Sequence, residues 1–235
     1  MTSDTLALVG AAGGVGTTRL TLECATLLAR DGRDVAVLDA AYGTQGLADR
    51  TEGRIDPDMT QLCLTDSPIE EGLIDRDLEA AGRLAVCPAH APFERLARAK
   101  TPEAAEAFED RIAEAARAVD FVIADTPPLA ANQAVAAATA TDRTAIVCDG
   151  VRAAGAIPRT EDRLADIGVD EATTVLTRTD DSANADVAVP AFTTDGLAVE
   201  TDSDARRAIA DVLEATLDVT VTLPDDAGLR SKLLG

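Results

Sequence analysis

Short, almost wholly apolar segments recur along this chain, each separated from the next by enough residues for a helix. This alternation restricts the fold more than any other feature. Leu6–Val9, Val35–Leu38, Leu84–Cys87, Phe121–Ala124 and Ala145–Cys148 read as strands, with Thr174–Leu176 and Val187–Val189 as shorter candidates. Turn signals bracket them: Asp31-Gly32-Arg33 before the second, Pro88 after the third, Asp149-Gly150 after the fifth. Between the strands, Leu20, Cys24, Leu27 and Leu28 recur at helical spacing, as do Phe108, Ile112 and Ala116, and Ile209, Val212, Leu213 and Leu217. Strands that are apolar throughout, instead of at every second position, are buried on both faces. The pattern predicts an α/β fold: a three-layer, doubly wound, mostly parallel sheet with helices on both faces. The chain's 235 residues suit a single domain spanning 1–235 with a short tail from about 225. Asp180–Asp186 reads as a polar loop within that domain.

In such sheets ligands bind at the carboxyl ends of the strands. The first strand runs into Gly10-Ala11-Ala12-Gly13-Gly14-Val15-Gly16-Thr17-Thr18 and then into a helix. Strand, glycine turn and helix N-terminus together aim backbone N–H groups and a helix dipole at an anion. The Walker A spacing G-x-x-x-x-G-K-S/T places Ala11 at its first glycine, Gly16 at its second, Thr17 at its lysine and Thr18 at its magnesium-binding hydroxyl. The cradle is present and its point charge is missing. Asp39 and Asp125 each close an apolar strand, where a carboxylate can hold magnesium through water or orient an attacking water. Taken alone, either acid also suits a turn or helix cap. The dinucleotide fingerprint G-x-G-x-x-G does not fit the spacing of Gly10, Gly13, Gly14 and Gly16.

Charge narrows the partners. There are 42 acidic against 21 basic residues, a net charge of −21, and the only lysines are Lys100 and Lys232. The acids are dispersed along the chain, as expected of a protein adapted to a high-salt cytoplasm. No basic stripe is present to neutralise phosphates, so direct binding to DNA is not expected. At about 0.01 M salt the screening length is about 30 Å and repulsion acts across the domain; at about 1 M it is near 3 Å. The compact state suffers more of that repulsion than the unfolded chain. The melting temperature, followed by circular dichroism, is therefore expected to rise steeply from dilute to molar potassium chloride. A salt-independent melt would refute the halophilic reading of the acidic coat. The N-terminus shows no secretory signal, and Cys24, Cys63, Cys87 and Cys148 are too dispersed for a zinc or disulfide framework.

The residues from Ala12 to Arg19 resemble the deviant Walker A loop of the MinD/ParA (SIMIBI-class) ATPases, K-G-G-V-G-K-T-T, and are closest to its CpaE/TadZ-like form, K-G-G-V-G-A-T-T. Val35 to Ala41 resembles the family's apolar strand and D-x-D, and Asp120 to Pro128 its Walker B region, D-x-V-V-x-D-x-P-P. Thr141 to Val147 is similar to a further family stretch, A-D-x-x-x-x-V. Thr177-Arg178 resembles the loop that contacts the base, and Val189-Pro190 the later proline loop. The resemblance covers about residues 3–217 and implies a P-loop NTPase-like fold.

It also implies ATP or ADP held with Mg²⁺. Gly13, Gly14, Val15, Gly16, Thr17, Thr18 and Arg19 would bind the phosphates, while Thr177, Arg178 and Pro190 bind the base. Thr18, Asp39 and Asp125 would hold the metal, with Asp39 and Asp125 also the catalytic acids. The departures are specific: Ala12 stands where the family has its signature lysine, Thr17 where it has the loop lysine, and Ala41 where it has the second acid of D-x-D. Losing the lysines removes charge that stabilises the transferring phosphoryl group. The expected protein is a cytoplasmic positioning or regulatory factor with a degenerate nucleotide site, a homodimer that acts on another protein. Two alternatives stay open: a slow ATPase using a cation such as Arg19, and a nucleotide-free dimeric scaffold. The tail from Gly228 to Gly235 faintly resembles the family's amphipathic membrane anchor, but it is too short for membrane contact to be expected.

Overall fold

The computed structural model describes residues 3–183 and 185–223. The tail segment Gly228 to Gly235 lies outside the described residues. The chain runs through β1 (Asp4–Gly10), α1 (Thr17–Arg30), β2 (Val35–Asp39), α2 (Met59–Leu62), β3 (Ile74–Asp75) and β4 (Leu84–Cys87). It continues with α3 (Phe93–Arg98), α4 (Pro102–Ala115), β5 (Phe121–Thr126), α5 (Asn132–Thr139), β6 (Arg143–Asp149) and α6 (Ala153–Asp166). β7 (Thr173–Thr177), β8 (Val187–Val189), α7 (Ala198–Thr201) and α8 (Ser203–Leu217) complete it.

Among the described residues, eight strands form one sheet in the order β3-β4-β2-β5-β1-β6-β7-β8. All pairings are parallel except that of β3 with β4. This is the expected α/β architecture. The apolar strands are buried on both faces because their residues alternate between two cores. Val35, Val37, Phe121 and Ile123 pack in one with Leu20 and Leu28 of α1, Ile157 of α6 and Ile209 of α8. Ala36, Leu38, Val122 and Ala124 pack in the other with Phe108 and Ile112 of α4 and Ala136 of α5.

The structure adds β3, an antiparallel edge strand that sequence reading missed. Its two residues, Ile74 and Asp75, are too few to show any periodicity. The strand order also reverses direction at β1: the chain passes from β1 outward to β2 on one side and later to β6 on the other. Such a reversal opens a crevice at the carboxyl ends of the central strands. The glycine loop leaves β1 there, beside the ends of β5 and β6.

Candidate functional site

The loop from Gly10 to Gly16 is fixed by the strands around it. The Ala11 amide donates to the Val147 carbonyl of β6 (2.8 Å). Val15 is buried, and its carbonyl accepts the Thr177 hydroxyl at the end of β7 (2.6 Å). The Gly13 carbonyl accepts from the Arg152 guanidinium (2.8 Å), which is itself paired with Asp149. Gly14 and Gly16 have φ of 74° and 94°, left-handed values that disfavour residues with a Cβ. A Cβ on Gly10 would stand 2.8 Å from the Thr17 hydroxyl, so Thr17 packs directly against the end of β1. Gly16 caps α1 without any side-chain acceptor for the first-turn amides. Those amides can serve an anion.

Below the loop the Thr18 hydroxyl donates to Asp125 Oδ2 (2.6 Å). Asp125 is 1% exposed, and its Oδ1 has no partner among the described residues. β2 and β5 are in register at Asp39 and Asp125, so the two strand-end acids stand side by side. Burial, and then repulsion from Asp125, pushes Asp39 up to about 8. Burial pushes Asp125 up to about 6, against the hydrogen bond from Thr18 that favours its charged form. The repulsion belongs to the pair: whichever carboxylate is charged raises the other.

Asp39 differs from its partner in what it can reach. Its Oδ1 accepts the Ala41 amide (2.7 Å) and its Oδ2 the Ala89 amide (3.0 Å). Both oxygens are thus turned to backbone, and Asp39 is absent from the wall of the cleft. Arg19 also departs from the phosphate role expected of it. Its Nε meets Glu23 (2.6 Å), and its other nitrogens donate to the Thr194 and Gly196 carbonyls (3.2 and 2.6 Å).

The cleft over the loop has a volume of about 460 Å³, within the usual range for small-molecule sites. The structure brings together on its wall Gly13 to Arg19, Asp125, Thr177, Arg178 and Pro190 from the sequence expectations. Arg178 has a left-handed φ of 61°, and its guanidinium approaches to 4.0 Å from where a Cβ of Gly16 would lie. A larger cavity of about 790 Å³ lies beyond Arg178, between α6 and β7. Its rim carries Asp149, Glu161 and Asp181, which oppose a phosphate.

Sequence reading missed Arg50 and Phe192, which line the cleft, and Arg152, which braces Gly13. Arg50 ends a single 3-10 turn (Ala48–Arg50) and Phe192 comes from a loop, neither long enough to carry a spacing signal. Arg152 could have been suspected from its i,i+3 relation to Asp149.

The donor set suits a hard cation. The Thr18 hydroxyl and the orphaned Asp125 oxygen are the oxygen ligands that Mg²⁺ takes when phosphate and water complete its shell. Among the described residues no cluster of three or more His, Cys, Asp or Glu side chains could hold a metal without such help.

A model of the AAA domain family matches residues 3–156. No curated protein matches the chain. Among solved structures, the fold is similar to MinD from Pyrococcus horikoshii complexed with Mg-ADP, at TM-score 0.74 and 17% identity over 90% of this chain and 95% of that one. It is similar to an ATP complex of McdA from Cyanothece, at TM-score 0.72 and 17% identity over 94% and 99%. The MinC:MinD complex from Aquifex aeolicus gives TM-score 0.71 and 18% identity over 94% and 98%. At these identities the likeness is one of fold: an eight-stranded, mostly parallel P-loop sheet.

Proposed function

This chain belongs to the AAA domain family, and from that premise we propose that it is a MinD/ParA-like protein, closest to the CpaE type, whose degenerate site binds ATP or ADP with magnesium weakly. The observation that supports the reading is a glycine cradle held in shape by the protein, with Thr18 and the unpartnered Asp125 oxygen at its foot and neither lysine at its rim. Gly13 to Thr18 surround the phosphates. Thr18 and Asp125 hold magnesium, which supplies the positive charge that screens the phosphate oxygens. Asp39 acts from behind, keeping the end of β2 in place through the Ala41 and Ala89 amides. Thr177, Arg178 and Pro190 form the base side.

Positioning or regulation suits this site better than turnover, because the cations that stabilise a transferring phosphoryl group are missing from positions 12 and 17. The solved MinD that sits with MinC makes a protein partner a reasonable expectation here. We read the chain as one domain that pairs with a second copy and acts on an unidentified protein in a high-salt cytoplasm. It is not read as a DNA binder.

Calorimetric titration of MgADP in molar potassium chloride tests this. Binding on the order of tens of micromolar to millimolar is expected, from the loss of charged contacts worth about 1.5–3 kcal/mol each. Thr17→Lys should tighten it by roughly ten- to a hundredfold. No heat at several millimolar nucleotide would sink the reading and favour a nucleotide-free scaffold. Rapid phosphate release lost in Asp125→Ala would favour an active ATPase.

A further inference from the structure

Glu23 is a fully buried carboxylate on the helix that follows the glycine loop, and nothing in the phosphate reading uses it. Its charge is satisfied by Arg19 Nε (2.6 Å) and by the Ala198 and Val199 amides at the start of α7 (2.8 and 2.9 Å). Arg19 spends its remaining donors on the segment just before α7: Nη1 on the Thr194 carbonyl, Nη2 on the Thr194 hydroxyl and the Gly196 carbonyl. Its guanidinium also lies over the Phe192 ring, 5.7 Å from the centroid. Among the described residues, no backbone–backbone hydrogen bond originates from the amides of residues 191–196. Residues 193–196 are exposed. Beyond the partly buried packing of Phe192 and Leu197 against the core, the segment is tied in place by one arginine and one buried acid.

This segment carries Pro190, Ala191 and Phe192 into the wall of the cleft. Thr18, at the foot of the phosphate cradle, directly precedes Arg19 on α1. One rigid helical turn thus sets the phosphate end of the cleft and, through Arg19 and Glu23, the opposite wall.

We propose that Arg19 and Glu23 are positioning residues for the nucleobase, clamping residues 190–197 so that Pro190 and Phe192 form the wall against which the base rests. Arg19 is the cation nearest in sequence to the missing loop lysine, yet its guanidinium is spent on Glu23 and the segment before α7. The inference rests on the nucleotide-binding reading for its ligand. The clamp itself does not depend on that reading.

Two measurements on the full chain separate the possibilities. In Arg19→Ala, MgADP affinity should fall about tenfold, while affinity for inorganic tripolyphosphate with magnesium stays within about twofold. Arg19→Lys, which keeps a charge for Glu23 but loses the fork, should fall between. Phe192→Ala should weaken MgADP similarly, and the double variant should lose less than the sum because both act through one segment. A parallel loss of tripolyphosphate binding would make Arg19 a phosphate ligand and overturn the proposal, as would unchanged MgADP affinity.

The second measurement is amide hydrogen exchange without nucleotide. Exchange at Ala198 and Val199 should accelerate at least tenfold in Arg19→Ala relative to the β1 amides. If the unmodified protein bound no nucleotide, the binding reading would fall and this exchange would decide the clamp alone. Unchanged protection at those two amides would overturn it.

Discussion

Gly14→Asp will abolish nucleotide binding while leaving a folded protein. Gly14 has φ of 74°, and a Cβ built on it meets nothing within 4 Å. The substitution therefore brings no clash, only left-handed strain of about 1–2 kcal/mol, and Asp is among the residues that tolerate that region best. The new carboxylate stands on the wall of the cleft, beside the amides that would receive phosphate. Two unit charges about 4 Å apart repel by about 4 kcal/mol at an effective dielectric of 20, which weakens binding roughly a thousandfold. Gly14→Asn carries the same strain without the charge and should lose only a few-fold. Calorimetry of both variants, with a melting curve as control, reads the difference. Equal losses in the two would assign the effect to backbone conformation, and the electrostatic account would be wrong.

The second large effect concerns the paired acids. Asp39 and Asp125 both have folded-state pKa values raised from an ordinary 3.8, to about 8 and about 6, because burial disfavours their charge. For an acid raised in this way the native state binds protons more tightly than the unfolded chain. Its contribution to stability is full below pH 4 and is lost as pH rises through the folded values. The metal-free protein is thus expected to lose stability between about pH 4 and pH 8. Asp125→Asn removes one of the two charges and leaves an oxygen to accept from Thr18. At pH 8 it should stabilise the metal-free protein by roughly 2–3 kcal/mol, or about 5–10 °C in melting temperature for a chain of this size. Magnesium should recover much of that in the unmodified protein and nothing in Asp125→Asn. A melting temperature that ignores both pH and the substitution would refute a buried, mutually raised pair.

Much of this was legible in the sequence because it depends on local pattern. The seven apolar segments became strands, since a run buried on both faces has few other ways to satisfy its backbone. Asp125 could be placed from the apolar strand before it and the prolines after it. Asp39 shows where this reasoning stops. Its position at a strand end was correct, but the direction of its carboxylate is set by the Ala41 and Ala89 amides, and Ala89 comes from the loop after β4. Arg19 is a similar case. The i,i+4 pair with Glu23 is written in the spacing, while the partners near residue 194 are distant in the chain and carry no periodic mark. Phe192 reaches the cleft on an irregular loop and Arg50 on a single 3-10 turn, and the course of both depends on tertiary contacts.

The three ties on the glycine loop, from Val147 to Ala11, from Arg152 to Gly13 and from Thr177 to Val15, owe nothing to a ligand. A loop braced in this way has little conformational entropy left to lose, so an arriving anion meets amides that have already converged. Shape and charge are thereby decoupled. Charge at positions 12 and 17 can be added or removed while these three ties stay in place, because none of them runs through those side chains. Binding strength then becomes a dial that single substitutions can turn over orders of magnitude, at constant geometry and with the fold untouched.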